Sequence, residues 1–212
     1  TIANDLVYLA GENVIVLLIM GALTSFILGI GMTVTAAYIF LAIVLVPALT
    51  NSGINPLASH MFVMYWGMLS FITPPVALAA FAAASVANVA PMRAGFEAMR
   101  LGAIIYFVPF FFVFNPALLL QGSIIENIQA FTTAIFGVAI VSGALQGYMI
   151  GVGDLGSGIK GLVVKTLVGI SGLILALPAG GLFGFSQIAL LAVAAGLLLT
   201  GIMARKFLIN PW

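Results

Sequence analysis

Charge is scarce in this chain: six lysines and arginines and five acidic residues among 212, or 5% of the total. A soluble globular domain carries about a quarter, so an aqueous fold is excluded. With a net charge of +1 there is no basic patch to neutralise phosphates, which excludes nucleic-acid binding. Cysteine is absent altogether, so disulfides, thiolate metal sites and cysteine nucleophiles are excluded. Histidine occurs once, at His60, and the two aspartates, Asp5 and Asp154, are expected in loops. No acid–base pair or His-rich metal motif remains for an enzyme. Gly151–Gly158 is rich in glycine, yet it follows no strand pattern and lacks a Gly-Lys-Ser/Thr ending, so it reads as a flexible turn rather than a nucleotide loop.

What the chain has is apolar surface: 64% hydrophobic residues and a mean hydropathy of +1.32. It is an integral membrane protein with lipid as its solvent. Thr1 stands where an initiator Met would, and no basic leading stretch precedes the first apolar run. The expectation is part of a longer polypeptide, without a signal peptide. Apolar segments, all expected to be helical, run over about 14–29, 35–49, 57–72, 76–90, 101–120, 131–152, 161–177 and 183–204. The fold class is therefore all-α, a polytopic bundle of transmembrane helices. Residues 1–120 form one expected region and residues 121–212 a C-terminal transmembrane extension.

Basic residues collect in cytoplasmic loops. Arg93 and Arg100, then Lys160 and Lys165, then Arg205 and Lys206 fall on one side if 101–120 and the three later segments each cross once. Gln121–Ala130 and Ala179–Leu182 are then outside. Segments 57–72 and 76–90 make one broken crossing. The first two segments are read as a re-entrant hairpin entering from outside, with two complete crossings as the alternative.

Two interruptions of the apolar course carry the chemistry. At membrane depth no water satisfies freed backbone groups, so unwound chain persists only where protein, water or a bound ion supplies partners. The first interruption is Gly29–Thr35, where Gly29 and Gly31 allow a tight turn and Thr33 and Thr35 add hydroxyls. The second is Thr73-Pro74-Pro75, whose prolines lack N–H groups and break the helix, leaving carbonyls near Leu69–Ile72 without helical partners. Hard oxygen donors of this kind suit an alkali cation. Half-helices starting near Thr35 and Val76 would point partly positive ends at a carboxylate. Paired breaks of this kind suggest a secondary transporter.

The stretches Gly29–Tyr38, Phe40–Pro47, Met68–Ala77, Pro91–Arg100 and Pro109–Pro116 together resemble the large membrane subunit of TRAP transporters. More narrowly, they resemble the fused small-plus-large permeases that work with TAXI-type binding proteins. The resemblance covers about residues 1–120. It implies a sodium-driven, elevator-type importer of organic acids in the cytoplasmic membrane of a prokaryote. It further implies an extracytoplasmic binding protein as partner and a small membrane subunit fused upstream. Gly29, Gly31 and Thr73 would contribute to a sodium site, and Thr33 and Thr35 to substrate binding. Pro74 and Pro75 would hold the helix break, and no cofactor beyond the coupling sodium is implied. The family pattern Gly-x-Gly-x-Pro-Thr-Thr is altered here, with Thr33 in the proline position and Val34 in that of the first threonine. Readings from other classes are a passive pore and a structural subunit that does not itself transport.

The remaining polar residues have plainer expectations. His60 sits near a segment end, as a gate, a proton carrier or a locally bonded interfacial residue. Arg93, Glu97 and Arg100 share one face of a short amphipathic helix. Tyr65, Trp66 and the run Phe107–Phe114 suit packing or lipid contact, and Ser85, Asn88 and Asn115 suit hydrogen bonds between helices.

Overall fold

Helix boundaries in this protein are set by prolines and by small polar caps, because the apolar runs between them carry little other punctuation. The computed structural model describes residues 2–11, 13–177 and 186–208, so the turn expected at Ala179–Leu182 and the start of the last segment at Phe183 lie outside the described residues. The chain divides into two units, Thr1–Leu119 and Leu120–Trp212.

In the first unit, α1 (Ile2–Leu9) places Asp5 on a helix, not in the expected loop. Asn13 opens α2 (Val14–Gly31) by accepting the amides of Ile15 and Val16 on its side chain. After a two-residue turn, Thr33 caps α3 (Val34–Val44), which continues through Leu45 into α4 (Val46–Asn51). Asn55 and Pro56 begin α5 (Pro56–Met68), which tightens into a 3₁₀ turn at Leu69–Phe71. Then come α6 (Leu78–Ala87), α7 (Pro91–Leu101) and α8 (Val108–Phe114), with 3₁₀ turns at Ala103–Tyr106 and Pro116–Leu119.

Leu17, Leu18, Leu41, Leu49, Phe62 and Val63 are completely or almost completely buried where α2, α3, α4 and α5 meet. Aromatic pairs then fasten α8 to α5: Phe110 packs edge-on against both Phe62 and Trp66, and Phe112 against Tyr65. The Phe107–Phe114 run is thus largely scaffold. The expected single helix over 101–120 is not formed. Gly102, Pro109 and Pro116 divide it, and α8 has only seven residues, about 10 Å of helix against a core of about 30 Å. Instead Pro91–Leu101 and Ala103–Phe114 form a pair bent by 67°. On α7, Glu97 pairs with Arg100 at 3.1 Å, both more than half exposed. Among the described residues Ser85, Asn88 and Asn115 make no hydrogen bond between helices. Ser85 donates to the Phe81 carbonyl, Asn88 closes α6 in the left-handed region, and Asn115 accepts the Ala117 amide.

In the second unit, Ser123 and Glu126 form a reciprocal capping box at the start of α9 (Ile124–Gln146). A two-stranded antiparallel hairpin follows, β1 (Tyr148–Met149) against β2 (Gly153–Asp154), where a flexible turn is expected from the sequence. α10 (Gly158–Ala176) and α11 (Gln187–Leu208) complete the unit. Gly137 and Gly172 let α9 and α10 touch backbone to backbone. A Cβ on Gly137 would lie 2.6 Å from the Gly172 carbonyl oxygen, and one on Gly172 would lie 2.8 Å from that of Gly137.

Among the described residues, five helical segments are long and apolar enough to cross a membrane: Val14–Gly31, Val34–Asn51, Ile124–Gln146, Gly158–Ala176 and Gln187–Phe207. The protein is an all-α, multi-pass membrane protein. Both arms of the α2–α3 hairpin have crossing length, and the bent pair adds a sixth candidate.

Candidate functional site

The two interruptions read from the sequence meet in space. Gly29, Ile30, Gly31, Met32 and Thr33 at the α2–α3 tip face Ser70, Phe71, Val76 and Leu78 at the break after α5, around a cavity of about 280 Å3. The approach is made possible by Gly29. Its α-carbon abuts Gly67 of α5 so closely that an added Cβ would collide with the Gly67 carbonyl oxygen and sit 3.0 Å from the Gly67 Cα. Gly31 differs: an added Cβ there meets nothing within 4 Å, and the residue lines the cavity. One glycine closes the helix contact, and the other keeps the cavity open.

The tip presents both ends of a dipole. α2 ends at Gly31, so the carbonyls of its last turn, partly negative, lack intrahelical amides. α3 begins at Val34, and its first amides are partly positive. Thr33 caps this end, its hydroxyl accepting the Ala36 amide at 3.3 Å. Thr35 lies exposed on the first turn of α3 and does not line the cavity.

At the break, Pro74 and Pro75 offer no amide to the carbonyls of Ser70 and Phe71 four residues earlier. Thr73 is 5% exposed, and its hydroxyl donates to the Leu69 carbonyl at 2.6 Å. A threonine hydroxyl has one proton, so the Tyr106 hydroxyl, 2.5 Å away, donates to Thr73 Oγ1. The chain Tyr106, Thr73, Leu69 braces the broken helix and uses most of the capacity of the threonine. Thr73 lies beside the cavity rather than on its wall. Ala77 has φ +36° and is fully buried, and the half-helix α6 starts one residue later at Leu78, two beyond the expected Val76. A buried non-glycine residue in the left-handed region is local strain of about 1 kcal/mol or more.

Several participants escape sequence reading. Tyr106 lies 33 residues from Thr73. Gly67 and Ser70 look like ordinary helix residues, although the Ser70 hydroxyl caps the Gly67 carbonyl at 3.1 Å. Ser25 on α2 is fully buried, and its hydroxyl has no hydrogen-bond partner among the described residues. Its only signal is the spacing Gly21, Ser25, Gly29, one small residue per helical turn. His60 bonds across helices instead of locally: its Nδ1 is 3.0 Å from the Tyr38 hydroxyl, joining α5 to α3. Among the described residues no three His, Asp or Glu side chains gather as a metal site. A cation in this cavity would be held by neutral oxygens.

A family model for the DctM component of the tripartite ATP-independent periplasmic transporters matches residues 1–127. No curated protein and no solved structure matches the chain.

Proposed function

The chain belongs to the family of DctM components of tripartite ATP-independent periplasmic transporters, a transporter family and not an enzyme family, and on that premise we propose that it couples sodium entry to the uptake of organic acids. As the membrane component of such a system it works with a periplasmic binding protein. Fusion to a small membrane subunit upstream, a TAXI-type binding protein and the cytoplasmic membrane of a prokaryote belong to the proposal.

The observation that carries this reading is the cavity shared by the α2–α3 tip and the break after α5. Sodium, as a hard cation, is served by the carbonyls ending α2 and those of Ser70 and Phe71 that the prolines leave without amides. The substrate carboxylate is served by the first amides of α3, whose N-terminus needs no arginine to attract an anion. Each ion lowers the electrostatic cost of placing the other in the same cavity. Thr73 acts by keeping the break in shape, and Thr33 by capping α3, more than as exposed ligands. Two interrupted elements at one site also suit alternating access, since unwound ends can part without tearing a continuous helix.

The test is uptake of labelled dicarboxylates and amino acids by proteoliposomes holding the complete permease, with and without its binding protein and an inward sodium gradient. Uptake requiring both is expected. Passive flux independent of both would make the protein a pore. Sodium-independent uptake would remove the assignment of these carbonyls to sodium.

A further inference from the structure

Two cations of the second unit lie against its hairpin region without carboxylate partners among the described residues. Lys165 on α10 is partly buried, and its ammonium reaches Gly147, where an added Cβ would be 3.0 Å from Nζ. Gly147 takes φ +79° and ends α9, so the turn that admits the ammonium is closed to other residues. No hydrogen bond or ion pair of Lys165 exists among the described residues. Arg205 on α11 reaches the other strand, its Nε donating to the Asp154 carbonyl at 2.7 Å and a terminal nitrogen lying near Gly153. Its other four N–H donors have no partner among the described residues. The carboxylate of Asp154 accepts the Gly156 amide within its own turn at 2.7 Å and forms no ion pair among the described residues. Lys160 and Lys206 add charge at the same end of the helices.

This end is also apolar. Ile150 at the hairpin tip is 94% exposed, and Ile159 and Phe207 are exposed nearby in sequence to the cations. An open groove of about 460 Å3 runs from the hairpin residues Tyr148 and Ile150 along α9 past Gly143, Ile140 and Phe136. α10 spans 19 residues, about 28 Å, so the hairpin falls where the hydrocarbon core gives way to headgroups.

We propose that the hairpin end of this unit is a binding site for an anionic phospholipid, with Lys165 and Arg205 holding the headgroup phosphate and an acyl chain lying in the α9 groove. Unused cationic donors select a phosphate that carries net negative charge, and the apolar rim selects a lipid over free phosphate. This inference rests on the second unit alone and is independent of the sodium coupling proposed above.

Native mass spectrometry of the full chain, released from nanodiscs of mixed phosphatidylglycerol and phosphatidylcholine, reads the site directly. Retention of phosphatidylglycerol over phosphatidylcholine is expected, unaffected by millimolar inorganic phosphate. Lys165→Gln removes no internal hydrogen bond and should weaken that preference by about fivefold or more. Lys206→Gln makes the same charge change at an exposed position and should leave the preference within about twofold. Equal retention of the two lipids would overturn the proposal, as would displacement by inorganic phosphate. So would equal losses in both variants, which would mean a diffuse charge effect instead of a site.

Discussion

Replacing Gly29 and Gly31 separately with alanine should distinguish the glycine that builds the site from the one that forms its wall. At Gly29 the added methyl meets the backbone of Gly67, 3.0 Å from its Cα and carbonyl carbon and closer still to its oxygen. Backbone cannot swing aside as a side chain can, so α2 must move off α5 by roughly an ångström. Overpacking of this kind costs about 1–3 kcal/mol, offset by up to about 1 kcal/mol of improved helix propensity. A net loss of about 1–2 kcal/mol is expected, together with loss of the cavity shape and hence of uptake. At Gly31 nothing lies within 4 Å, so stability should stay within about 0.5 kcal/mol. The methyl instead enters the cavity, which Gly31 lines, and should raise the sodium concentration needed for half-maximal uptake. Reversible unfolding in mixed micelles measures the first quantity and sodium titration of uptake the second. A Gly29→Ala protein as stable as the parent would refute the packing argument. A Gly31→Ala protein that unfolds as readily as Gly29→Ala would refute the division of roles.

Thr73→Val removes two hydrogen bonds, to Leu69 and from Tyr106, at about 0.5–1.5 kcal/mol each, while the Leu69 carbonyl keeps the Ile72 amide at 3.2 Å; Tyr106→Phe removes only the second link, about 0.5–1.5 kcal/mol. The two should be non-additive in a double-mutant cycle, and additive losses would mean the hydrogen-bond chain does not operate as a unit. Ala77→Gly relieves a left-handed alanine and should leave stability unchanged or raise it by up to about 1 kcal/mol; a clear loss would contradict the strain assigned there. Ser123→Ala should cost about 1 kcal/mol by removing the capping box of α9, read as a lowered melting temperature. Tyr38→Phe should loosen α3 from α5 by about 1 kcal/mol without changing the pH profile of sodium-driven uptake, since His60 is given no proton-carrying role.

Much of the fold was legible because lipid allows few alternatives. Long apolar runs must be helices, and Asn13, Asn55 and Pro56 mark starts close to those expected; α9 instead begins at Ile124, seven residues before the expected 131, because the polar residues Glu126, Asn127 and Gln129 of its first turns read as loop. The segment 101–120 was misread because hydropathy averages over Gly102, Pro109 and Pro116, each of which changes direction without lowering apolarity. The hairpin at Tyr148–Asp154 was hidden for a related reason: glycines specify that a turn occurs but not how its strands pair. At the site, Thr-Pro-Pro and the Gly-x-Gly turn were visible as local helix breaks. What those breaks lean on was not. Gly67 and Tyr106 are set by tertiary contacts that no spacing encodes, Ser70 bonds only the Gly67 carbonyl three residues back and gives no signal of its place on the cavity wall, and the hydroxyl of Thr73, a natural ligand on paper, is occupied by Tyr106 and Leu69. The spacing argument for Arg93, Glu97 and Arg100 survived because an amphipathic helix needs only its own sequence, although the described ion pair uses Arg100 alone.

The central claim, that one cavity between the α2–α3 tip and the break after α5 admits sodium and an organic acid together, is tested most directly by double-label uptake. Radiolabelled sodium and a labelled acid would be followed at once in proteoliposomes containing the complete permease and its binding protein. Entry of both in a fixed ratio is predicted, each dependent on the other, with the ratio kept and the sodium requirement raised in Gly31→Ala. Acid accumulating without sodium, or sodium entering at the same rate without acid, would contradict it.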